Sequence, residues 1–185
     1  MLIGDVYGGA ISANIMKNTE LEIIGLVNGN IYGGSLNNIL GNPLNSSSTK
    51  ITIKGQANDC YGGGKADRIN SRADVHGSTS IIIYGITSDI FGGGYAQGIG
   101  SSSDVYGNTN ITINNKKKLQ IKGAVYHGGK ALDQSRAQVI NVLSDINYIS
   151  INVKEHDFEI KDGISDAGDI RIFGNKQILK RDETI

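Results

Sequence analysis

Four aspartates recur at a fixed spacing, and they are the residues most able to perform acid–base chemistry. Asp59 and Asp89 are 30 residues apart, and so are Asp74 and Asp104. If the chain repeats in space with this period, the members of each pair stand about 4.8 Å apart on neighbouring strands. Two carboxyl groups about 5 Å apart are the arrangement of a retaining glycosidase. A polysaccharide-degrading lyase or hydrolase is therefore one hypothesis for this chain.

The same aspartates also have a structural interpretation. Each precedes a hydrophobic residue at a predicted corner, where aspartate commonly accepts a hydrogen bond from the backbone. A general acid needs surroundings that raise its pKa, and no single aspartate stands out from the repeating pattern. We therefore expect these side chains to be structural and the chain to have no catalytic residues.

Aromatic residues that are followed directly by a corner form a second candidate surface. They are Tyr7, Tyr32, Tyr61, Phe91 and Tyr126. Facing outward, they would form a flat stripe that binds sugar rings or another protein. Alternatively, the rings stack on one another and determine the register of the strands. The sequence leaves both interpretations open.

The remaining reactive side chains predict no cofactor and no metal site. His76, His127 and His156 do not follow the spacing of a zinc site. The single cysteine, Cys60, takes the place of an aliphatic residue, which predicts an inert thiol in the core. A short basic run, Lys116–Lys118, indicates a solvated loop or, alternatively, a site for acidic glycans.

These residues belong to an internal repeat. Thr-x-(Ile/Leu)-x-Ile begins at Thr19, Thr49, Thr79 and Thr109, always 30 residues apart. Within each copy the apolar residues alternate with mostly polar ones, which predicts a strand with one buried and one solvated face. The glycines after each aromatic residue predict corners, for which we expect positive φ angles.

One period is too short to enclose a core, so successive units must stack. The chain is therefore predicted to be all-β: a parallel β-solenoid, right-handed by the usual rule, with about 30 residues per coil and four to five coils. Segments 65–73, 95–103 and 116–122 are expected to be loops. A trimeric fibre or a β-prism is the alternative fold.

Composition supports a single domain with a distinct end. The chain has 185 residues, 26 glycines and 29 isoleucines. Residues 1–149 carry the repeat, and residues 150–185 hold 14 of the 36 charged side chains. We expect the latter to be a divergent C-terminal coil or cap of the same domain, because the last coil otherwise exposes an open edge.

Charge and hydropathy exclude several classes of partner. The 18 basic and 18 acidic residues balance, which argues against nucleic-acid binding, since that needs clustered cations. No apolar run is long enough to predict membrane insertion. The sequence shows no leader resembling a signal peptide.

Two segments resemble the glycine-rich repeats of bacterial surface adhesin-like β-solenoid proteins. They are Ser88–Gly94, read Ser-Asp-Ile-Phe-Gly-Gly-Gly, and Asp104–Ile113, read Asp-Val-Tyr-Gly-Asn-Thr-Asn-Ile-Thr-Ile. The resemblance covers about residues 4–143. It implies a noncatalytic structural or adhesive module of a secreted, extracellular or cell-surface bacterial protein, which presents a repetitive face to glycan or protein partners. Because Gly4–Tyr7 already belongs to the repeat, we expect possible self-association through an uncapped N-terminal coil.

Overall fold

The computed structural model describes residues 1–114, 119–132 and 134–140, and the backbone of 148–152, 159–160, 164–165 and 169–173. All regular elements within these ranges are β-strands. In chain order they are β1 (Leu2–Ile3), β2 (Val6–Tyr7), β3 (Thr19–Ile23), β4 (Val27–Asn28), β5 (Ile31–Tyr32), β6 (Thr49–Ile53), β7 (Cys60–Tyr61), β8 (Lys65–Ala66), β9 (Thr79–Ile83), β10 (Ile90–Phe91), β11 (Tyr95–Ala96), β12 (Thr109–Asn114), β13 (Leu119–Ile121), β14 (Val125–Tyr126), β15 (Lys130–Ala131), β16 (Tyr148–Asn152), β17 (Glu159–Ile160), β18 (Ile164–Ser165) and β19 (Asp169–Phe173).

The longest strands form one parallel sheet in the order β19-β16-β12-β9-β6-β3. Its register places Thr19, Thr49, Thr79 and Thr109 side by side, as the 30-residue period predicts. A second parallel sheet, β18-β14-β10-β7-β5-β2, contains the aromatic residues. A third one, β15-β11-β8, follows the glycine corners.

This architecture confirms the predicted all-β parallel solenoid with about 30 residues per coil, and the right-handed winding stays a prediction. The two large sheets each contain six strands, so the number of stacked strands is slightly higher than the four to five coils expected. Strands β16, β18 and β19 continue these sheets beyond residue 147. The expected end of the repeat region, between residues 149 and 150, falls within β16.

The segments expected to be loops contain regular pairing. In 65–73 and 95–103, β8 pairs with β11, and one bridge connects Arg72 with Ser102. The sequence did not predict these strands because each has only two residues. Only the short turns between the strand and the bridge protrude. In 116–122, residues 119–121 form β13, which pairs with β17.

The core consists of three columns of buried side chains. The main column holds the isoleucines of the long strands and the residue before each aromatic, including Cys60. The second holds the aromatic rings. The third, which the sequence did not predict, contains Leu40, Val75 and Val105. Cys60 is completely buried, and burial raises the pKa of its thiol well above the usual range, so it is a neutral packing group.

The glycine corners have a different cause from the one expected. Positive φ angles among the described glycines occur only at Gly4, Gly41 and Gly100, none of which directly follows a core aromatic residue. A Cβ at Gly62 would lie 2.3 Å from the carbonyl oxygen of Gly92, and one at Gly33 would lie 2.4 Å from that of Gly62. Glycine is therefore required by the close approach of the stacked coils.

We predict that Gly62→Ala lowers the free energy of unfolding by about 1–3 kcal/mol, because the added methyl group forces two coils apart. The measurement is urea unfolding followed by circular dichroism. Gly25→Ala is the matched control, since nothing lies within 4 Å of a Cβ at that position. Equal effects of the two substitutions would contradict the close-approach explanation.

Candidate functional site

The first polar array is the threonine ladder, defined as Thr19, Thr49, Thr79 and Thr109. Each side chain is at least nine-tenths buried. The hydroxyl of Thr49 donates to the carbonyl of Gly62 at 2.6 Å, and Thr79 donates to Gly92 at 2.6 Å. Thr19 donates likewise to Gly33 at 2.7 Å, so the ladder ties the starts of β3, β6 and β9 to the glycine corner that follows each strand in the chain.

We predict that Thr49→Val costs about 1–3 kcal/mol of stability, because it leaves the buried Gly62 carbonyl without this donor. Thr52→Val in the same strand changes the same atoms on the half-buried outer face. We expect that control to change stability by less than about 0.5 kcal/mol. Urea unfolding of both variants measures the difference, and a cost at Thr52 as large as that at Thr49 would disprove the assignment.

The first aspartate column connects neighbouring coils. Asp59 Oδ1 accepts a hydrogen bond from the backbone N–H of Asp89 at 3.2 Å. In turn, Asp89 Oδ1 accepts one from the N–H of Ala124 at 2.9 Å. Asp5 and Asn30 make the equivalent bonds in the earlier coils. These side chains satisfy backbone donors at the corners, as the structural interpretation of the aspartates expects, but they do so in the next coil.

The second aspartate column is completely buried. Asp74 Oδ1 accepts the N–H of Asp104 at 2.9 Å, and Asp104 Oδ1 accepts the N–H of Gln138 at 2.9 Å. The other oxygen of each carboxylate accepts from an arginine, Arg72 for Asp74 and Arg136 for Asp104. A buried charge of this kind requires a partner, and here each has one.

The carboxylates that could form a glycosidase pair are thus engaged in holding coils together. In both columns one oxygen of each aspartate accepts a backbone N–H of the next coil. Asp59 Oδ2 additionally accepts a hydrogen bond from the Tyr61 hydroxyl at 3.4 Å. This arrangement provides structural acceptors and an ion-paired buried layer.

The aromatic residues form a continuous stack. Neighbouring ring centroids are between 4.6 and 5.0 Å apart from Tyr7 to Tyr126. Tyr32, Tyr61 and Phe91 are buried, and burial raises the pKa of both tyrosines above the usual range. The inner rings cover one another's faces, so those faces are not offered to a sugar ring.

A second set of side chains covers the edge of this stack. These are the residues that follow each glycine corner. Lys65 Nζ lies 5.6 Å from the centroid of Tyr32, one coil earlier. Tyr95 stacks on Tyr61 at 5.4 Å, and Lys130 Nζ lies 5.7 Å from Phe91. The half-buried stripe of Lys65, Tyr95 and Lys130 is therefore the surface that meets solvent here.

His127 occupies the corner position that glycine takes in the four preceding coils. Its backbone carbonyl lies where the glycine carbonyls lie, since a Cβ at Gly92 would approach it to 2.4 Å. Its Nδ1 lies 3.0 Å from the hydroxyl of Thr109, so the imidazole adds a side-chain contact to the ladder at this corner. Among the described residues its buried Nε2 has no hydrogen-bond partner. Desolvation lowers the pKa of His127 below its ordinary value, which keeps the imidazole neutral.

We predict that the stability of the chain falls as pH decreases through this titration. The unfolded chain binds the His127 proton more readily than the folded chain, so the stabilising contribution is complete above about pH 6.5 and declines below it. His127→Gln removes the titration and should give a shallower decline between about pH 6.5 and 5. Thermal unfolding of both proteins across this range is the test, and parallel curves would contradict it.

Several expectations concern residues that the structure does not describe. Lys116–Lys118 and His156 lie outside the described residues. Within the described part of the chain, no group of three or more His, Cys, Asp or Glu side chains could hold a metal ion. The same part contains no helix able to cross a membrane.

Sequence reasoning missed the pairing of Arg72 and Arg136 with the buried aspartates. A signal was present, since Ser71-Arg72-Ala73 returns as Ser135-Arg136-Ala137. It also missed the stripe after the glycine corners, because Lys65, Tyr95 and Lys130 differ in type and become a set only when the coils stack.

Comparisons with known families, with curated proteins and with solved structures were made for this chain. No family model, no curated protein and no solved structure matches it.

Proposed function

We propose that this chain is a noncatalytic structural or adhesive module of a secreted bacterial surface protein. It presents a repetitive outer face to glycan or protein partners. The extracellular location follows from the resemblance of its repeats to adhesin-like solenoids. The observation that carries the proposal is the use of all four candidate carboxylates as connections between coils.

An enzyme of this class needs a carboxyl group that is free to exchange a proton with the substrate. Asp74 and Asp104 are completely buried and ion-paired. Asp59 and Asp89 each accept a backbone N–H of the following coil. Within each column the two aspartates have similar surroundings, whereas a general acid and a general base need surroundings that move their pKa values apart. The geometry therefore favours a structural role.

The outer face supports a binding role. Exposed ion pairs join successive coils on the long sheet, Lys50 with Glu20 and Lys54 with Glu22. Exposed pairs of this kind contribute little to stability, so the outer surface tolerates a change of residue more readily than the core does. The stacked coils present such positions in straight columns, which suits a partner that is itself repetitive.

Self-association through the first coil belongs to the same proposal. Val6 and Leu21 are only partly buried, whereas Ile31 and Ile51, which pair with them in the next coil, are completely buried. A second chain that covers this end would complete the same hydrophobic columns.

We predict that Asp89→Asn leaves glycan binding and folding nearly unchanged, because the asparagine oxygen still accepts the Ala124 N–H. The measurements are binding to immobilised neutral and acidic polysaccharides, together with an assay for new reducing ends or unsaturated products. Wild type and variant should bind equally and release no product.

Asp59→Asn serves as a second variant in the same column. Cleavage of any polysaccharide by the wild type, abolished by either substitution, would overturn the noncatalytic proposal in favour of a lyase or hydrolase.

A further inference from the structure

Two arginines from different coils pair with aspartates that lie on adjacent coils. Arg72, Ser102 and Arg136 occupy equivalent positions of three successive coils, joined by parallel bridges. Arg72 binds the aspartate of its own coil, whereas Arg136 reaches back one coil to Asp104. The two guanidinium groups are therefore held by aspartates of adjacent coils, about one strand spacing of 4.8 Å apart.

A buried aspartate holds each guanidinium in place. Arg72 Nε donates to Asp74 Oδ2 at 2.8 Å, and Arg136 Nε donates to Asp104 Oδ2 at 2.6 Å. The carboxylates are completely buried, while the arginine side chains are 51% and 54% exposed. The negative charges thus lie inside and the positive charges outside. Each planar guanidinium has five N–H donors, and those not used by aspartate remain available to a ligand.

An aromatic pair borders the two arginines. Tyr106 stacks on His76 with ring centroids 4.5 Å apart. The hydrogen bond with its aspartate is the main cause of the raised pKa of each arginine, and Tyr106 adds to it in both cases. Tyr106 therefore lies close to both guanidinium groups. Burial lowers the pKa of His76, so this edge of the site is uncharged near neutral pH.

The solenoid does not require this arrangement. In the preceding coil Leu40 is bridged to Val75, which places Ile39 at the position of Asp74. The N–H of Ile39 is satisfied by Asn14 Oδ1 at 3.0 Å, so a coil forms without a buried aspartate or a paired arginine. Buried ion pairs seldom add stability over apolar packing. Two half-exposed cations one strand spacing apart also repel each other.

We propose that Arg72 and Arg136, with Tyr106 beside them, bind one oxyanion of an acidic glycan. The two guanidinium groups donate to the same carboxylate or sulfate group, which removes their mutual repulsion. The hydroxyl and ring edge of Tyr106 contact the sugar that carries it. This inference rests on the proposed function and deepens it, since it names the class of glycan and the residues that recognise it.

The test is calorimetric titration of the purified chain with polygalacturonate, with dextran sulfate and with neutral dextran. We expect binding of the acidic polymers, weakened by added salt, and no binding of dextran. The two acidic probes distinguish a carboxylate from a sulfate site.

Two charge-balanced double variants keep the buried layer neutral. They are R72Q with D74N, and R136Q with D104N, in which the asparagine oxygen still accepts the N–H of the next coil. Each should weaken binding of the acidic polymer roughly tenfold. The matched control, K17Q with D67N, removes one exposed charge of each sign outside the site and should leave affinity unchanged. Circular dichroism and urea unfolding check that each variant is folded.

Should a double variant fail to fold, R136K replaces it, because lysine keeps the charge but loses the planar donor array. A loss of affinity with R136K is then expected, and unchanged affinity overturns the inference. Acidic-glycan binding that no arginine variant weakens also overturns it, while the noncatalytic binding function stands. If the chain binds a neutral glycan or a protein but no acidic glycan, the inference is likewise overturned and the noncatalytic binding function stands. Cleavage of the polymer instead contradicts the proposed function itself.

Discussion

The structure depends on how closely consecutive coils approach each other at the glycine corners. A Cβ at Gly33, Gly62 or Gly92 would lie within 2.4 Å of a carbonyl oxygen of the following coil. The same corners carry the carbonyls to which the buried threonines donate. A side chain at the corner would therefore separate the sheets and the cores at once. This distance explains why aromatic, glycine and threonine positions recur together in the sequence.

Close stacking also determines the role of the aspartate and asparagine side chains at the corners, which is to accept backbone hydrogen bonds from the next coil. The backbone N–H groups at the corners are satisfied by aspartate or asparagine side chains of the preceding coil, at Asn30, Asp89 and Asp104 for example. A column of carboxylates at one strand spacing resembles a catalytic pair in sequence, but each member is used as a backbone acceptor. Where the acceptor is a completely buried aspartate, as at Asp74 and Asp104, an arginine pairs with it, whereas asparagine supplies the same acceptor to Ile39 without a cation.

The features set by the period alone were predictable from the sequence. Alternation along Thr49–Ile53 predicted its buried face, and the position of Cys60 before an aromatic residue predicted its burial. Features that depend on distances between coils were not predictable. The reason for Gly62 appears only when Gly92 lies above it. The partner of Arg136 is 32 residues earlier in the chain, and the choice between an exposed stripe and a buried stack for Tyr61 required knowledge of what Tyr95 covers.

Positions that depart from the repeat fall into two groups with different physical consequences. His127 departs inside the structure, where its buried imidazole contacts the Thr109 hydroxyl through Nδ1. Lys65, Tyr95 and Lys130 depart at a half-buried outer position, where lysine and tyrosine both contact the rings of the aromatic stack. Arg72 and Arg136 belong to both groups. Each pairs with a completely buried aspartate, while its own side chain is half-exposed on the outer surface. The inner columns thus make the coils alike, and the outer positions are where the coils differ.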